Sequence, residues 1–382
     1  MNQKNVKDKF IELYRSNPII IKSPGRINLI GEHTDYNQGF VLPTTIDLNI
    51  FLAIQKNNRD RIRIYALNFN ESIDIACCNV SHSETHWANY LLGSYIELVN
   101  AGFDLHGFDC VLGGNLPIGA GLSSSAAIEC GLIAGLNKLF DLQLESIQIA
   151  KLAQAAENNF VGVKCGIMDQ FAITHAKENT VLKLDCRSLN YTFHNFNLSN
   201  YSIVLVNSNV KHSLAQSEYN TRRQECDEGV DILKKYLPEV NSLRDISEKQ
   251  LNENRQYLSP LIYKRCLYVV RENKRVDLFC EALNTSNWDR VGDLLYETHY
   301  GLKDLYEVSC AELDILINEA RKINAVLGAR MMGGGFGGCT INLVKTNKLE
   351  SFIQQILKSY KEKTDIIADV FKVEISNGIE FL

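Results

Sequence analysis

The sequence predicts an α+β fold built from two domains. With 382 residues the chain is too long for one compact hydrophobic core. Both halves mix β-branched runs, which are typical of strands, with apolar residues at helical spacing. They lack the strict strand–helix alternation of a doubly wound sheet, and this favours α+β. A weakly marked boundary near residue 198 divides the chain into domains of residues 1–198 and 199–382.

The individual elements follow from the same patterns. Strands are predicted at residues 19–22, 50–54, 61–65, 181–184, 202–207 and 339–344. Helices are predicted at residues 123–140, 146–160, 216–236, 261–285 and 311–323. The charged segment of residues 1–10 also has a helical character.

The composition excludes several classes of function. A net charge of −5 gives no electrostatic basis for binding nucleic acid or an anionic membrane. No apolar run is long enough to span a bilayer, and residues 1–10 lack the apolar core of a signal peptide, so we expect a cytoplasmic protein. The eleven cysteines show no CxxC spacing, and we expect them to be reduced packing residues.

Residues 119–125, GAGLSSS, form a segment that we call the serine loop, and an apolar helical pattern follows it. Its glycines permit a close approach of backbone to ligand, and a helix start presents free amides to an anion. The loop is not a Walker loop, because it has no Gly-Lys-Ser/Thr, and Ser124 stands where a dinucleotide fingerprint has its third glycine. Two interpretations stay open: a phosphate-binding loop whose hydroxyls also reach Mg²⁺, and an ordinary strand-to-helix turn with capping serines.

Residues 31–36, GEHTDY, form a second segment, the acid turn, in which Glu32, His33, Asp35 and Tyr36 lie close together. Such a mixture suits a polyhydroxylated ligand, because carboxylates accept from hydroxyls and imidazole either donates or accepts. A solvated surface turn is the alternative. A metal site at His33 is discounted, because no histidine or cysteine stands at ligand spacing.

Asp169 follows an apolar pair and a glycine turn, and Glu157 lies near the end of the preceding helical pattern. A carboxylate in apolar surroundings needs a partner, and Arg26 is the obvious candidate. The pair is either functional or a structural ion pair.

The glycine-rich segment of residues 333–338, GGGFGG, precedes a predicted strand. So much backbone freedom is entropically costly, and it makes most sense where the backbone approaches a ligand closely. A wide turn is the alternative.

Together these segments resemble those of the galactokinases, a family of the GHMP small-molecule kinase superfamily. The likeness runs in order through GRINLIGEHTDY, LPIGAGLSSSAA, CGIMDQF, NVKHSLAQSEYNTRR and GARMMGGGFGGC. The first is the most specific, because other GHMP kinases share the serine loop and the glycine-rich segment but usually not GEHTDY. The sequence WANY at residues 87–90 adds to the likeness. The resemblance implies two α+β domains of GHMP kinase architecture with the active site in the cleft between them.

The resemblance also implies an activity and a set of site residues. The activity is ATP-dependent phosphorylation of galactose at the anomeric hydroxyl, with Mg²⁺ as cofactor. Galactose would be bound by Glu32, His33, Thr34, Asp35, Gly166 and Tyr219. ATP would be bound by Trp87 and by Gly119, Ala120, Gly121, Leu122, Ser123, Ser124 and Ser125. Ser125 and Glu157 would hold Mg²⁺, Asp169 would accept the hydroxyl proton, and Arg26 would stabilise the transition state. We expect a monomer whose partners are galactose and ATP.

Three positions depart from residues common in the family. Ala127 replaces a serine, Lys164 a proline and Met332 a threonine, and none of them is assigned to the chemistry. Two rival functions stay open: a kinase for a related hexose such as N-acetylgalactosamine, and a galactose sensor acting on a transcriptional partner. A sensor is expected to have lost part of the serine loop, which is complete here.

Phosphoryl transfer requires positioning and charge neutralisation more than covalent chemistry. A loop of amides and hydroxyls, one Mg²⁺ and Arg26 would therefore serve without a Walker lysine. A neighbouring arginine makes a carboxylate a weaker base. Asp169 therefore either takes the proton during attack or mainly orients the hydroxyl.

Overall fold

The computed structural model describes residues 1–198, 200–211 and 215–382. The strands are β1 (Ile19–Asn28), β2 (Phe40–Val41), β3 (Pro43–Lys56), β4 (Arg61–Ala66), β5 (Glu71–Ala76), β6 (Phe108–Gly114), β7 (Thr180–Asp185), β8 (Tyr191–Asn195), β9 (Tyr201–Lys211), β10 (Val326–Met331), β11 (Gly337–Lys345), β12 (Asp369–Val373), β13 (Ile375–Ser376) and β14 (Glu380–Phe381). The helices are α1 (Gln3–Tyr14), α2 (Ala88–Asn100), α3 (Ser124–Phe140), α4 (Ser146–Ala155), α5 (Met168–His175), α6 (Ala215–Leu233), α7 (Glu248–Glu253), α8 (Pro260–Asn284), α9 (Trp288–Gly301), α10 (Ala311–Lys322) and α11 (Leu349–Thr364). Strands and helices are mixed in both halves, so the predicted α+β class is confirmed.

The described strands form three sheets. The largest has the order β14-β1-β3-β6-β4-β5, with β13 paired to β3, and only the β4–β6 pair in it is parallel. A second, antiparallel sheet has the order β10-β11-β9-β12, and the smallest has the order β2-β7-β8. The first sheet lies mainly in the N-terminal half and the second in the C-terminal half.

Helix α3 packs against β1 and β3 of the largest sheet. Its apolar residues, among them Leu132, Ile133 and Leu136, are fully buried in the main core. A Cβ on Gly131 would lie 2.7 Å from Leu52 Cδ1, so the helix can approach the sheet this closely only with glycine there. This packing fixes the position of the helix start that follows the serine loop.

Every predicted strand and helix overlaps an observed element, and those predictions are confirmed in type. The bounds differ most for β1, which ends six residues beyond the predicted strand, and for β3, which begins seven residues before it. Helices α2, α5, α7, α9 and α11 were not predicted. Within the motif of residues 209–223, residues 212–214 lie outside the described part of the chain, as does residue 199 at the predicted domain boundary.

The C-terminal end of the chain returns to the first half. Strand β13 pairs with β3, and β14 pairs with β1, so the last residues complete the N-terminal sheet.

The domain boundary near residue 198 stays a prediction. Within the described ranges, no helix has both the length and the apolar character needed to cross a lipid bilayer. The expected monomer and cytoplasmic location also stay predictions.

Candidate active site at two adjoining cavities

Two adjoining cavities contain most of the predicted site residues. The serine-loop cavity has a volume of about 380 Å³, and the carboxylate cavity has a volume of about 170 Å³. The predicted residues that line the serine-loop cavity are Arg26, Trp87, Gly119, Gly121, Leu122, Ser123, Ser124 and Ser125. The predicted residues that line the carboxylate cavity are Arg26, Glu32, His33, Asp35, Glu157, Gly166, Asp169 and Tyr219. Arg26, Gly333 and Gly334 line both, so the cavities share a wall.

The serine loop joins β6 to α3 through backbone conformations that glycine favours. Gly119 and Gly121 have φ angles of 74° and 77°. Ser123 precedes the helix in a left-handed conformation, with φ 57°, and its side chain makes no capping hydrogen bond to the helix. Its hydroxyl donates to Asp169 instead. The interpretation of this serine as a simple helix cap is therefore wrong, and the first amides of α3 face the cavity without a side-chain cap from Ser123.

Arg26 and Asp169 form a bidentate ion pair at the shared wall. Arg26 Nε and Nη2 each donate to an Asp169 carboxylate oxygen at 2.7 Å, and Nη1 donates to the Gly121 carbonyl at 2.8 Å. Burial alone would lower the pKa of Arg26, but Asp169 and Glu32 outweigh it and raise that pKa, so the guanidinium stays charged. Arg26 is 5% exposed, whereas the Asp169 side chain is 24% exposed and faces the carboxylate cavity.

The acid turn is buried, so its interpretation as a solvated surface turn is wrong. Glu32 Oε1 accepts from the Gly333 N–H at 2.8 Å and from Arg330 Nη2 at 3.1 Å. Burial raises the pKa of Glu32, but Arg330 and Arg26 outweigh burial and lower it. The carboxylate is therefore held as an anion, and it ties the acid turn to the glycine-rich segment.

Asp35 has a different electrostatic environment. Burial, followed by repulsion from Asp169, raises the pKa of Asp35 to about 7. The side chain packs directly against Gly166, where a Cβ would overlap its carboxylate. Gly166 thus belongs to the site because it leaves space for Asp35.

His33 and Tyr219 form an aromatic wall of the carboxylate cavity. Burial lowers the pKa of His33 to about 4, so the imidazole is neutral near pH 7. Its Nδ1 lies 2.8 Å from the Tyr36 hydroxyl, and its ring centroid lies 5.4 Å from that of Tyr219. Burial raises the pKa of Tyr219 well above 10, so its hydroxyl stays protonated. Both side chains are therefore hydrogen-bonding groups without charge.

Two predicted residues do not line the cavities. Thr34 is fully buried, and its hydroxyl lies 2.8 Å from the Gly31 carbonyl and 2.6 Å from the Phe40 carbonyl. It shapes the acid turn from inside. Ala120, within the serine loop, is also buried. Neither side chain therefore contributes to the surface of the two cavities.

Glu157 lies in a π-helical turn, Ala156–Val161, behind Asp169. Burial and the charge of Asp169 raise the pKa of Glu157 to about 7, while hydrogen bonds with Ser125 and Cys165 oppose the rise. Its Oε2 also accepts from Gln170 Nε2 at 2.8 Å. A hydroxyl and a carboxylate side by side are oxygen donors, the type that Mg²⁺ prefers. In the described part of the chain, no group of three or more His, Cys, Asp or Glu could hold a metal ion by itself.

Trp87 forms the outer wall of the serine-loop cavity. Its indole N–H donates to Glu71 Oε2 at 2.7 Å, and its ring stacks with that of Phe69 at a centroid distance of 6.3 Å. Such an aromatic pair offers a flat apolar surface.

Comparison with known proteins identifies the family. Family models match residues 8–56 (galactokinase galactose-binding signature), 89–177 (GHMP kinases N terminal domain) and 279–363 (GHMP kinases C terminal). The galactokinase of Bacillus subtilis (strain 168) is 41% identical over 362 residues, which cover 93% of this chain and 92% of that protein. The chain belongs to the galactokinases. The galactokinase of Clostridium beijerinckii is 38% identical over 98% of this chain and 97% of its own length.

Solved structures agree with this assignment to the galactokinases. The crystal structure of Lactococcus lactis galactokinase complexed with galactose superimposes with a TM-score of 0.95 at 34% identity, covering 98% of each chain. Methanococcus jannaschii mevalonate kinase, at 22% identity and a TM-score of 0.66 over 95% of this chain and all of that one, shares the fold. The predicted GHMP kinase architecture is confirmed.

Sequence reasoning missed a further set of cavity residues. On the serine-loop side they are mainly apolar: Ile50, Ala66, Asn68, Phe69, Tyr90, Leu112, Gly113, Ile118 and Ile128. On the carboxylate side they are Val163, Cys165 and Met168. Glu129, fully buried on α3, was also missed; burial and the charge of Glu157 raise its pKa well above 4.5. Four of the missed cavity residues had a signal in the sequence, because they lie in the family motifs WANY, LPIGAGLSSSAA and CGIMDQF: Tyr90, Ile118, Cys165 and Met168. The others are ordinary positions outside these motifs.

Proposed function

We propose that this chain transfers the γ-phosphoryl group of ATP to the anomeric hydroxyl of galactose, giving galactose 1-phosphate and ADP. Membership of the galactokinases supports the reaction. The observation that carries it is the Arg26–Asp169 pair at the wall between the two cavities. A nucleotide in the larger cavity and a hexose in the smaller one would meet at this pair.

Galactose is proposed to occupy the carboxylate cavity. Glu32 and ionised Asp35 would accept hydrogen bonds from sugar hydroxyls, while neutral His33 and protonated Tyr219 supply uncharged partners. Burial of these groups supports this assignment, because desolvated hydrogen-bonding groups discriminate strongly between hydroxyl patterns.

ATP is proposed to occupy the serine-loop cavity. Its phosphates would lie at the start of α3, where free amides and the positive end of the helix dipole favour anions. Trp87 and Phe69 would provide the flat apolar surface for the adenine. No lysine lines this cavity among the described residues, so the added positive charge would come from Arg26 and from a bound Mg²⁺.

Ser125 and Glu157 are proposed to bind Mg²⁺ together with the ATP phosphates. Their oxygen donors and the absence of a three-ligand cluster in the described chain fit a cation that keeps most of its ligands from nucleotide and water. When bound, the ion would neutralise charge on the phosphates.

Asp169 is proposed to orient the anomeric hydroxyl and to accept its proton as the new bond forms. Two hydrogen bonds from Arg26 and one from Ser123 fix the position of the carboxylate. A carboxylate held in this way is placed to orient the hydroxyl first and to take its proton as the bond to phosphorus forms. Arg26 stays charged and offsets the negative charge that develops on the transferred group.

An assay that couples ADP release to a sugar panel tests the proposal. We expect turnover with galactose and Mg·ATP, no turnover without the metal, and a sugar 1-phosphate as product. Equal or faster turnover of N-acetylgalactosamine would favour the related-hexose kinase, and galactose binding without any turnover would favour a sensor.

A further inference from the structure

The acid turn is held in place by a helix from the other half of the chain. On α8, the Tyr268 hydroxyl donates to the Glu32 carbonyl at 3.0 Å. One turn further along, the Glu272 carboxylate accepts from the Gly31 N–H at 2.9 Å. Positions four residues apart lie on one face of a helix. One face of α8 therefore contacts the backbone of the turn that presents the acidic residues.

The Glu272 carboxylate is fully buried and held from several sides. Arg275 Nε donates to its Oε2 at 2.6 Å, and the Thr298 hydroxyl lies 3.2 Å from Oε1 and 3.1 Å from Oε2. Since charge and hydrogen bonds are both satisfied, the carboxylate has a fixed position. It can therefore fix the position of the amide that it accepts from.

Gly31 is a point where the path of the acid turn is determined. It has a φ of 92°, and a Cβ there would lie 2.6 Å from the Phe40 carbonyl oxygen. Its carbonyl oxygen accepts a hydrogen bond from the Thr34 hydroxyl, and its N–H donates one to the Glu272 carboxylate. Both polar groups of this peptide region are thus fixed immediately before Glu32.

We propose that Glu272 is a positioning residue for sugar binding: by holding the Gly31 N–H it sets where Glu32, His33 and Asp35 lie in the carboxylate cavity. The inference rests on the proposed function of that cavity. Glu272 does not line either cavity, so it acts through the backbone and not by touching a substrate. The carboxylate cavity thus depends on residues from both halves of the chain.

The test measures equilibrium binding of galactose and of ATP separately. The double variant Glu272→Met/Arg275→Met removes the acceptor without leaving a buried unpaired charge. We expect its Kd for galactose to rise roughly 10-fold, the effect of losing one buried hydrogen bond, with Kd for ATP within about twofold of wild type. Glu272→Gln keeps one acceptor oxygen, and we expect an intermediate Kd for galactose.

A matched control removes a partly buried carboxylate–arginine pair elsewhere. Asp109 on β6 accepts from Arg63 at 2.7 and 2.6 Å and lines neither cavity. The variant Asp109→Leu/Arg63→Met should lose stability but keep both dissociation constants. If the Glu272 variants changed both constants together, or neither, the positioning role would be overturned.

Hydrogen exchange on the wild-type protein tests the bond between Gly31 and Glu272 even if a variant does not fold. We expect the Gly31 amide to exchange as slowly as the amides of β3, because its acceptor is buried. Rapid exchange of that amide overturns the inference. Failure of the proposed function is distinct, because the wild-type protein would then show no turnover of galactose.

Discussion

The two cavities are built in different ways. The serine-loop cavity takes six of its lining residues from the continuous serine loop, residues 119–125. The carboxylate cavity combines side chains that are far apart in the sequence, from Arg26 on β1 to Tyr219 on α6. One local motif therefore supplies much of the first cavity, which distant residues then complete, whereas the second is assembled from several short segments.

Their electrostatics differ as well. Among the described residues, no acidic side chain lines the serine-loop cavity, whereas Glu32, Asp35, Glu157 and Asp169 all line the carboxylate cavity. The first therefore suits a polyanionic ligand, which the carboxylates of the second would repel. Burial, followed by repulsion from Asp169, raises the pKa of Asp35. This contrast in charge supports the proposed placement of the nucleotide in the serine-loop cavity and of the uncharged sugar in the carboxylate cavity.

The largest expected effect lies at the shared wall. Asp169→Asn should lower kcat by at least ~10²-fold, in the range for loss of a general base, because an amide neither carries the charge nor accepts the proton. The shape of the side chain is kept, so we expect galactose binding to change much less. Steady-state kinetics together with the thermal unfolding midpoint provide the check.

Ser123→Ala is the graded control for that change, because it removes one donated hydrogen bond from the same carboxylate. We expect a loss of kcat below about 10-fold, since one neighbouring hydrogen bond is modest in energy. Near-normal turnover of a correctly folded Asp169→Asn would remove Asp169 from the mechanism.

The second effect is confined to the sugar side. Gly166→Ala would push a methyl group into the Asp35 carboxylate. Overpacking of this kind costs about 1–3 kcal/mol, so we expect KM for galactose to rise roughly 5- to 150-fold while KM for ATP stays within about twofold. Separate titrations of the two substrates measure both constants.

Two controls test whether the two cavities affect KM for galactose and KM for ATP independently. Gly162→Ala adds a methyl group to open space, although its φ of 91° makes the change costly in stability, so KM for galactose should stay near the wild-type value. Trp87→Ala is the counterpart on the other side and should raise KM for ATP alone. A parallel rise of both KM values in Gly166→Ala would mean that the two cavities are not independent.

The contrast also explains what the sequence predicts. The serine loop and the acid turn are each a continuous stretch of sequence, so their chemistry can be predicted from the sequence alone. The role of Glu272 cannot be predicted in this way. In the sequence it is one more acidic residue of a charged helix, and only the fold brings it next to the Gly31 N–H. Thr34 shows the opposite error. As a polar residue inside a motif it is predicted to bind the ligand, but its hydroxyl bonds backbone carbonyls of the protein instead.

Two of the missed helices, α11 and α2, also have a physical explanation. Helix α11 is amphipathic, with Phe352, Ile356 and Tyr360 buried at four-residue spacing, so its pattern was predictable. Helix α2 is largely buried and contains Gly93, which obscures a helical period. The return of β13 and β14 to the first sheet depends on long-range pairing that no local pattern encodes.

The smallest expected effect is a pH dependence of the sugar side alone. With the pKa of Asp35 raised to about 7, the ligand-free carboxyl is protonated at pH 6 and accepts sugar hydroxyls fully only above pH 7. Kd for galactose, measured without nucleotide, should therefore fall by up to ~10-fold from pH 6 to pH 8, the limit for one linked proton. Calorimetric titrations across this range test it, and Asp35→Asn should show a flat profile.

The same shift affects stability with a defined sign. The folded protein keeps a proton on Asp35 that the unfolded chain loses near its ordinary value of 3.8. The contribution of this group to the free energy of unfolding should therefore decline as pH rises from about 4 to about 7 and stay constant above that. Asp35→Asn removes this contribution. The unfolding free energy of the variant minus that of the wild type should therefore increase as pH rises over the same interval. An unchanged difference would show that the pKa of Asp35 is not raised in the folded protein, so burial and the charge of Asp169 would then have no net effect on this carboxyl.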